Sequence, residues 1–363
     1  MSAALCHSLN EVLNGSSVDS GDWVYHRAGL SDALIYFRWT VTVALTTLTA
    51  LIGLIGNALV LRLVWITKKK HSRMAATSLA LVFWDTLLMG ASWAMFSLST
   101  ILGSGLLPQT GPWLHCMRVL YGTINIAMVG SIWTVLLITI DRYLLLYNPM
   151  NLRKFITRTR LAKLLFTIGP VAALFCLPRF WENAVTACPY GDAEITILVP
   201  MSMLQNWEYF LWYRVFGGLF LVHVVPFFII LLLTMRMVRK MFHTSNARSY
   251  RQSNNFIMWQ RTPVRRPGSL DRTISQQTLS HRRYCASKML IMIMIKFLIC
   301  YTMPLTLDAI QLIKFDNFDE PNFVFLVEVS NYLVILHAST NCIIRLAASK
   351  TLREKSTFFG PAV

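Results

Sequence analysis

Charged residues are scarce in this sequence. Asp, Glu, Lys and Arg make up 14% of its 363 residues, whereas soluble domains carry roughly 25%. This deficit, with 55% hydrophobic residues, argues against a soluble domain and indicates a membrane protein. Acidic residues are fewer than basic ones, with 17 Asp and Glu against 34 Lys and Arg. The basic residues cluster in short segments between apolar runs, as in a membrane topology signal, so we expect no nucleic-acid partner.

Two further features are missing from the chain. The seven cysteines are scattered and include no CxxC pair, which argues against a zinc site or a dense disulfide framework. Residues 1–35 lack a basic start followed by a short apolar core, so no cleavable signal peptide is evident. We therefore expect the first apolar span to act as the signal.

Long apolar runs are what the chain does contain. A helix of about 20 such residues crosses a bilayer. Seven candidate spans cover about 40–66, 75–101, 115–147, 161–177, 207–238, 288–313 and 323–347. In lipid a span must satisfy its backbone hydrogen bonds internally, so each is predicted to be a helix. The predicted fold is an all-α membrane protein, a seven-transmembrane helix bundle.

The distribution of basic residues predicts how the bundle is oriented. Connections after spans one, three and five are strongly basic, and the others are neutral or acidic, which places the N-terminus outside. We expect an extracellular segment over 1–38, the bundle over 39–348 and a short cytoplasmic tail over 349–363. A flexible basic inner loop is predicted at about 239–287. The glycosylation acceptor pattern at Asn14 agrees with this orientation.

The inner end of span three carries the most informative stretch. A charge-free run from Val119 to Ile140 ends in Asp141-Arg142-Tyr143, and Pro149 follows. One interpretation is a membrane anchor whose side chains reach the water layer. The position near the end of the third of seven spans favours a functional interpretation.

Residues in several spans together resemble the rhodopsin-like (class A) G protein-coupled receptors, over about residues 40–355. The matching positions are Gly56, Asn57, Leu81, Asp85, Asp141, Arg142, Tyr143, Pro149, Pro226, Pro304 and Asn341. Within that family, Leu177–Glu182 and His337–Ile344 are similar to invertebrate FMRFamide-type neuropeptide receptors.

Departures from the family pattern occur in spans four to seven. Gly169 and Thr302 stand where tryptophans are usual, Thr234 and Arg345 where tyrosines are usual. Cys116 lies one residue further from the span-three arginine than is usual. These departures leave the expected fold intact and question the usual activation relay.

The resemblance implies two sites. Cys116 and Cys188 resemble the pair that joins the top of helix three to the second outer loop. The resemblance also implies a sodium-binding cluster of Asp85, Ser131 and Asn341. An allosteric sodium ion is the only cofactor expected. A protonated Asp85 bonded to a neighbour is the alternative.

The spans contain four other polar residues of interest. Asn57 and His337 could extend the polar network around Asp85, although a lone histidine is more often a packing residue. We expect Lys296 and Arg62 to extend towards the inner water layer.

The class of ligand can be narrowed from residues that the spans lack. The region Tyr121–Asn125 has no carboxylate of the kind that amine receptors need, and span seven has no lysine between Phe323 and Arg345 for a retinal Schiff base. Acids expected near the outer face are Glu182, Asp192, Glu194, Glu208, Asp308 and Glu328. We predict that Glu182 and Asp308 contact a cationic peptide. The alternative is that these acids are ordinary loop charges exposed to water.

The resemblance thus implies a plasma-membrane receptor, not an enzyme, that binds an extracellular amidated neuropeptide and engages a heterotrimeric G protein. The switch residues would be Asp141, Arg142, Tyr143, Asn341 and Arg345. We predict that Arg345 either repels Arg142 and so lowers basal signalling, or pairs with an acid that the sequence does not identify. The alternatives are a receptor of the same class for a chemosensory or lipid-type ligand, and a seven-helix transporter or channel.

Overall fold

The computed structural model describes residues 36–37, 39–66, 73–102, 111–147, 157–190, 193–201, 203, 206–240, 291–307, 310 and 321–357. Only the backbone is described for residues 188–190 and 193–200, and for both ends of the helix over 321–357. The predicted glycosylation site Asn14, the ligand residue Asp308 and almost all of the basic loop lie outside the described residues.

Seven helices make up the bundle within the described residues. Helix α1 comprises Trp39–Leu45 and Thr46–Ile66, α2 comprises Arg73–Ser92, Trp93–Leu98 and Ser99–Ile101, α3 is Gly111–Tyr147, α4 comprises Arg158–Cys176 and Leu177–Trp181, α5 is Tyr209–Lys240, α6 is Ile291–Leu307 and α7 is Pro321–Thr357. Helices α1 to α5 are long and apolar enough to cross a membrane, and α6 is a shorter apolar helix.

The outer surface of the bundle is apolar. Side chains such as Phe166 and Leu174 in α4, at 81% and 73% exposed, would be unfavourable in water. Trp212 in α5 and Ile299 in α6 are exposed in the same way. This surface suits lipid, so the fold is the predicted seven-transmembrane helix bundle.

Close packing of α2, α3 and α4 sets the positions of their polar residues. The indole of Trp84 in α2 lies against Gly130 in α3, where an added Cβ would be 2.5 Å from the ring. A Cβ on Gly169 in α4 would lie 3.8 Å from the same indole. Trp84 therefore borders Gly169, the position at which the sequence lacks the usual tryptophan.

A β-hairpin covers part of the outer face, where the sequence suggested only a loop. Strand β1 (Asn183–Tyr190) pairs antiparallel with β2 (Ala193–Pro200), and Asn183 lies opposite Pro200. Strand β2 is rich in Val, Ile and Thr, which favour extended backbone. The Met201 N–H donates to the Glu182 carbonyl at 2.8 Å and ties the base of the hairpin to the end of α4.

Two helix ends differ from those predicted. The α-helical part of α4 ends at Cys176, but Leu177–Trp181 carries the helix past the predicted end at residue 177 as a 3-10 turn. Pro178 lies in the first positions of this turn, where no N–H is required. Helix α7 runs to Thr357, past the predicted end near Ala347, so its backbone extends into the segment predicted as a tail.

The outer half of α5 is wound with wide turns. Tyr209–Val224 is π-helical, and the Val225 N–H bonds to the Phe220 carbonyl five residues back. Residues four and five apart then lie on one face. This winding lets Tyr209 and Arg214 reach the same carboxylate, as described next.

Candidate functional site

An ion-paired group near the outer face, here called the outer cluster, comprises Tyr121, Arg179, Glu182, Tyr209 and Arg214. Its centre is Glu182, which is 0% exposed and directly follows α4. Arg214 donates to Glu182 with two nitrogens, Nη2 to Oε2 at 2.7 Å and Nε to Oε1 at 3.0 Å. Arg179 Nη1 lies 3.5 Å from Oε2. Such two-point pairing restricts the geometry as well as adding attraction.

Two tyrosines complete the outer cluster. The Tyr209 hydroxyl donates to Glu182 Oε1 at 2.8 Å, and the Tyr121 hydroxyl donates to Oε2 at 3.0 Å. Tyr121 also accepts from Arg214 at 3.2 Å and from Arg179 at 3.3 Å. The cluster therefore joins α3, the end of α4 and α5, with two cations around one anion.

The charge of Glu182 is stabilised by these neighbours. Burial alone would raise the pKa of Glu182, but Arg179 and Arg214 outweigh it and hold the pKa below its ordinary value of 4.5. A lowered pKa means that the carboxylate contributes stability above pH 4.5, which is lost only as the pH falls through the lowered value.

The prediction of Glu182 as an open acidic contact for a basic ligand needs correction. Its carboxylate is buried and already surrounded by two guanidinium groups and two hydroxyls. Asp308, its predicted partner in ligand binding, lies outside the described residues, so its role stays a prediction. Of the other acids expected near the outer face, Glu208 is exposed and Glu328 accepts from the Thr42 hydroxyl.

A second polar group, here called the core cluster, comprises Asp85, Ser131, Lys296, Thr340 and Asn341. Asp85 is 0% exposed, and its Oδ2 accepts from Asn341 Nδ2 at 2.8 Å. Its Oδ1 accepts from the Ser131 hydroxyl at 3.4 Å. The structure thus brings together the three residues of the predicted sodium site, one each from α2, α3 and α7.

Lys296 also belongs to the core cluster, and the expectation that it extends towards the inner water layer was wrong. Its ammonium donates to Asn341 Oδ1 at 2.6 Å and to the Thr340 hydroxyl at 2.8 Å. A third bond reaches the His337 carbonyl at 2.8 Å. All three acceptors lie on α7, so Lys296 joins α6 to α7.

The neighbours of the core cluster differ in part from those predicted. Asn57 donates to the Thr86 hydroxyl at 3.1 Å rather than to Asp85. The His337 ring packs edge-on against Phe297 and Tyr301, with centroids 5.5 Å apart in each case, so its ring acts in packing. Thr302 is exposed, and the buried aromatic residue here is Tyr301.

At the inner end, the Asp141 carboxylate is 0% exposed and accepts from Arg73 at the start of α2. Its other oxygen lies 3.7 Å from Arg142 Nε. The neighbouring Tyr143 ring stacks on Tyr147 with centroids 4.5 Å apart. Tyr147 donates to the Arg236 carbonyl at 2.9 Å, which links α3 to α5.

Arg345 is also buried at the inner side, at 6% exposed. Its Nη1 donates to the Ser78 carbonyl of α2 at 3.1 Å. Asp85 is the acid that attracts its charge. The described hydrogen bond of Arg345 is to a backbone carbonyl, so both alternatives for its role stay predictions.

Three of the described cysteines are inside the bundle. Cys176, Cys300 and Cys342 are buried within helices. Cys116 is exposed near the outer end of α3, whereas the side chain of Cys188 lies outside what the structure describes. The disulfide therefore stays a prediction.

Sequence reasoning missed the cationic members of both clusters. Lys296 stands alone among apolar residues in the middle of α6, and a lone charge at that depth usually marks function. Arg179 and Arg214 lie inside or at the end of apolar spans, so a lone charge at membrane depth also marked these two residues. They were missed because only acids were considered at the outer face.

The seven-helix bundle, its buried acid in α2 and the Asp-Arg-Tyr triplet at the inner end of α3 define the class of protein. The chain matches the 7 transmembrane receptor (rhodopsin family) over residues 56–344. It therefore belongs to this family of signalling receptors, which agrees with the prediction that it is not an enzyme.

Three relatives place the chain among receptors. The bovine (Bos taurus) thyrotropin-releasing hormone receptor is 21% identical over 297 residues, covering 81% of this chain and 72% of that receptor. The FMRFamide receptor of Drosophila melanogaster is 22% identical over 311 residues, covering 83% of this chain but only half of that receptor. Opsin-1 of Schistocerca gregaria is 27% identical over 146 residues, 38% of this chain and 36% of the opsin. The predicted resemblance to FMRFamide-type receptors is confirmed.

Proposed function

We propose that this chain is a plasma-membrane receptor that binds an extracellular amidated neuropeptide and signals to a heterotrimeric G protein. The observation that carries the proposal is the outer cluster, a fixed set of donors and aromatic rings next to the base of the hairpin. Two of the relatives are named as receptors for thyrotropin-releasing hormone and for FMRFamide.

The chemistry of the outer cluster suits a neutral peptide end. Arg179 and Arg214 both pair with Glu182, and their two guanidinium groups carry more N–H donors than this carboxylate accepts. A terminal amide offers a carbonyl acceptor without a charge that must be desolvated. Tyr209 and Tyr213 stack with centroids 5.0 Å apart and offer rings for aromatic packing. This proposal replaces an acidic contact at Glu182 with recognition by guanidinium and phenol groups.

The inner end suits a signalling partner. Nε and Nη2 of Arg142 have no hydrogen-bond acceptor among the described residues, although Arg142 is close to Asp141. Both donors are buried, so a carbonyl or carboxylate on a G protein would reach them only in a conformation that opens the inner side. A ligand can favour such a state only through its difference in affinity for the two conformations.

A cell-based screen tests the proposed function. Calcium and cAMP responses are measured in cells expressing the receptor, using amidated peptides and the free-acid form of each peptide. We expect a response to an amidated peptide, a weaker one to its free acid, and loss of the response with Arg142→Ala at equal surface expression. A response to lipid-type ligands and to no peptide, from a receptor verified at the surface, would contradict the proposal and support the alternative ligand class.

The proposed orientation predicts that Asn14 is extracellular and glycosylated. Endoglycosidase treatment of the receptor from animal cells should increase its gel mobility, because removing the glycan lowers its mass. The variant Asn14→Gln should run at the shifted position without treatment. Labelling of the N-terminus from the cytosolic side would overturn the proposed orientation.

The proposed Cys116–Cys188 disulfide predicts equal losses from either partner. Cys116→Ser and Cys188→Ser should each reduce surface expression, and the double variant should be no worse, because one bond is lost in all three. A bond of this kind contributes about 2–4 kcal/mol to stability. Cys300→Ser, within α6, is the control for loss of a thiol. Additive losses from the two cysteines would show that they act separately.

A further inference from the structure

Lys296 is a cation placed at the centre of the bundle. Within the described part of α6, Ile291–Leu307, it is the one charged residue, and its half-buried side chain turns towards α7. Its ammonium donates to three oxygens at 2.6 to 2.8 Å, which matches the three N–H groups that an ammonium carries. A lysine that merely extended to the water layer would not have all three donors satisfied by one helix.

The core cluster does not fit a sodium ion. A small hard cation needs several oxygen ligands with free lone pairs and no neighbouring positive charge. Here Asn341 Oδ1 accepts from Lys296. Each Asp85 oxygen already accepts one hydrogen bond, Oδ2 from Asn341 and Oδ1 from Ser131, which leaves fewer lone pairs for an ion. A sodium ion would have to displace the ammonium or lie beside it.

The charge balance points the same way. Both Lys296 and Arg345 are close enough to attract the negative charge of Asp85. These three residues already have a formal sum of one positive charge before any ion enters. Adding sodium would place a third cation against one carboxylate in a region of low dielectric, which is strongly unfavourable.

We propose that the Lys296 ammonium is the resident cation of the core cluster, in place of an allosteric sodium ion, and that this receptor does not bind sodium at Asp85. Asn341 bridges the two charges, since its carbonyl oxygen accepts from Lys296 while its amide donates to Asp85. The cation is thereby covalently part of α6 and cannot exchange with the solution. This proposal is independent of the ligand and of the G protein.

Thermal unfolding of the purified full-length receptor tests the proposal without a ligand. Melting is compared in sodium chloride and in choline chloride at equal ionic strength, for the parent and for Lys296→Met, which keeps a flexible apolar side chain but removes the ammonium. We expect no sodium-specific change for the parent and a sodium-specific rise for Lys296→Met. The rise should be about 2 °C when sodium is at ten times its Kd, given a protein of this length.

Control variants separate this effect from loss of any membrane cation. Arg62→Met removes an exposed cation on α1 and should leave melting independent of sodium. If Lys296→Met does not fold, Lys296→Gln takes its place, and Asp85→Asn added to that variant should abolish the sodium response. A sodium-specific rise in the parent would overturn the proposal. So would the lack of any sodium response in both folded Lys296 variants, because the ammonium would then not occupy a cation site.

Discussion

Glu182→Gln is expected to remove most of the folded receptor from the cell surface. The substitution keeps the shape of the side chain but leaves Arg179 and Arg214 facing an uncharged amide in a buried position. Removing one partner of a buried ion pair typically costs about 3–5 kcal/mol. That is about a 100-fold or larger change in the folding equilibrium. Surface labelling of an epitope-tagged receptor, normalised to total protein, measures the loss.

A charge-balanced double variant distinguishes loss of pairing from loss of packing. Glu182→Gln combined with Arg214→Gln restores the net charge of the parent cluster and should recover part of the surface expression, which makes the pair non-additive. Glu208→Gln is the matched control, because Glu208 is exposed near the same face and should have little effect. Equal expression of Glu182→Gln and parent would show that the outer cluster contributes little to folding.

Arg345→Tyr is expected to raise ligand-independent signalling. In the structure Arg345 holds the inner part of α7 against the Ser78 carbonyl of α2 and is attracted by Asp85. A tyrosine keeps the bulk but loses this attraction and restores the residue usual in the family. A change of about 1.4 kcal/mol in the balance between two conformations alters a minor active population tenfold. Basal calcium and cAMP signals at matched surface expression measure the change.

The conservative variant tests whether charge is the cause. Arg345→Lys keeps a cation that can reach an α2 carbonyl, so its basal signal should stay close to that of the parent. Arg62→Tyr removes an exposed arginine from α1 and serves as the control. If Arg345→Tyr signals like the parent, Arg345 acts as a packing residue and its charge has no role in switching.

The architecture was predictable because membrane insertion depends on local composition. Apolar runs of sufficient length predicted the helices, and the described bounds differ from the predicted ones by a few residues for α1 to α3. Proximity of Asp85, Ser131 and Asn341 was also predicted, although from the resemblance to a receptor family. The hairpin was missed because the alternation of polar and apolar residues in its strands is weak beside the signal of the spans.

The site chemistry depended on contacts between residues far apart in the chain. Arg214 and Glu182 are 32 residues apart, and Lys296 and Asn341 are 45 apart. Which face of α6 turns to α7 is set by how the helices pack, and no local pattern specifies that rotation. An acid taken as an open ligand contact thus proved to be a buried counter-ion. A lysine taken as a membrane anchor proved to be the cation at the centre of the bundle.

The sequence by itself determined that the chain crosses the membrane as helices, because lipid leaves the backbone of each apolar run no other way to satisfy its hydrogen bonds. It also determined the receptor class, through residues such as Asp85 and Asp141-Arg142-Tyr143 in their spans. Only the tertiary structure decided which charges meet. Pairing follows helix rotation and separation, which close contacts such as Trp84 against Gly130 set at the level of single atoms.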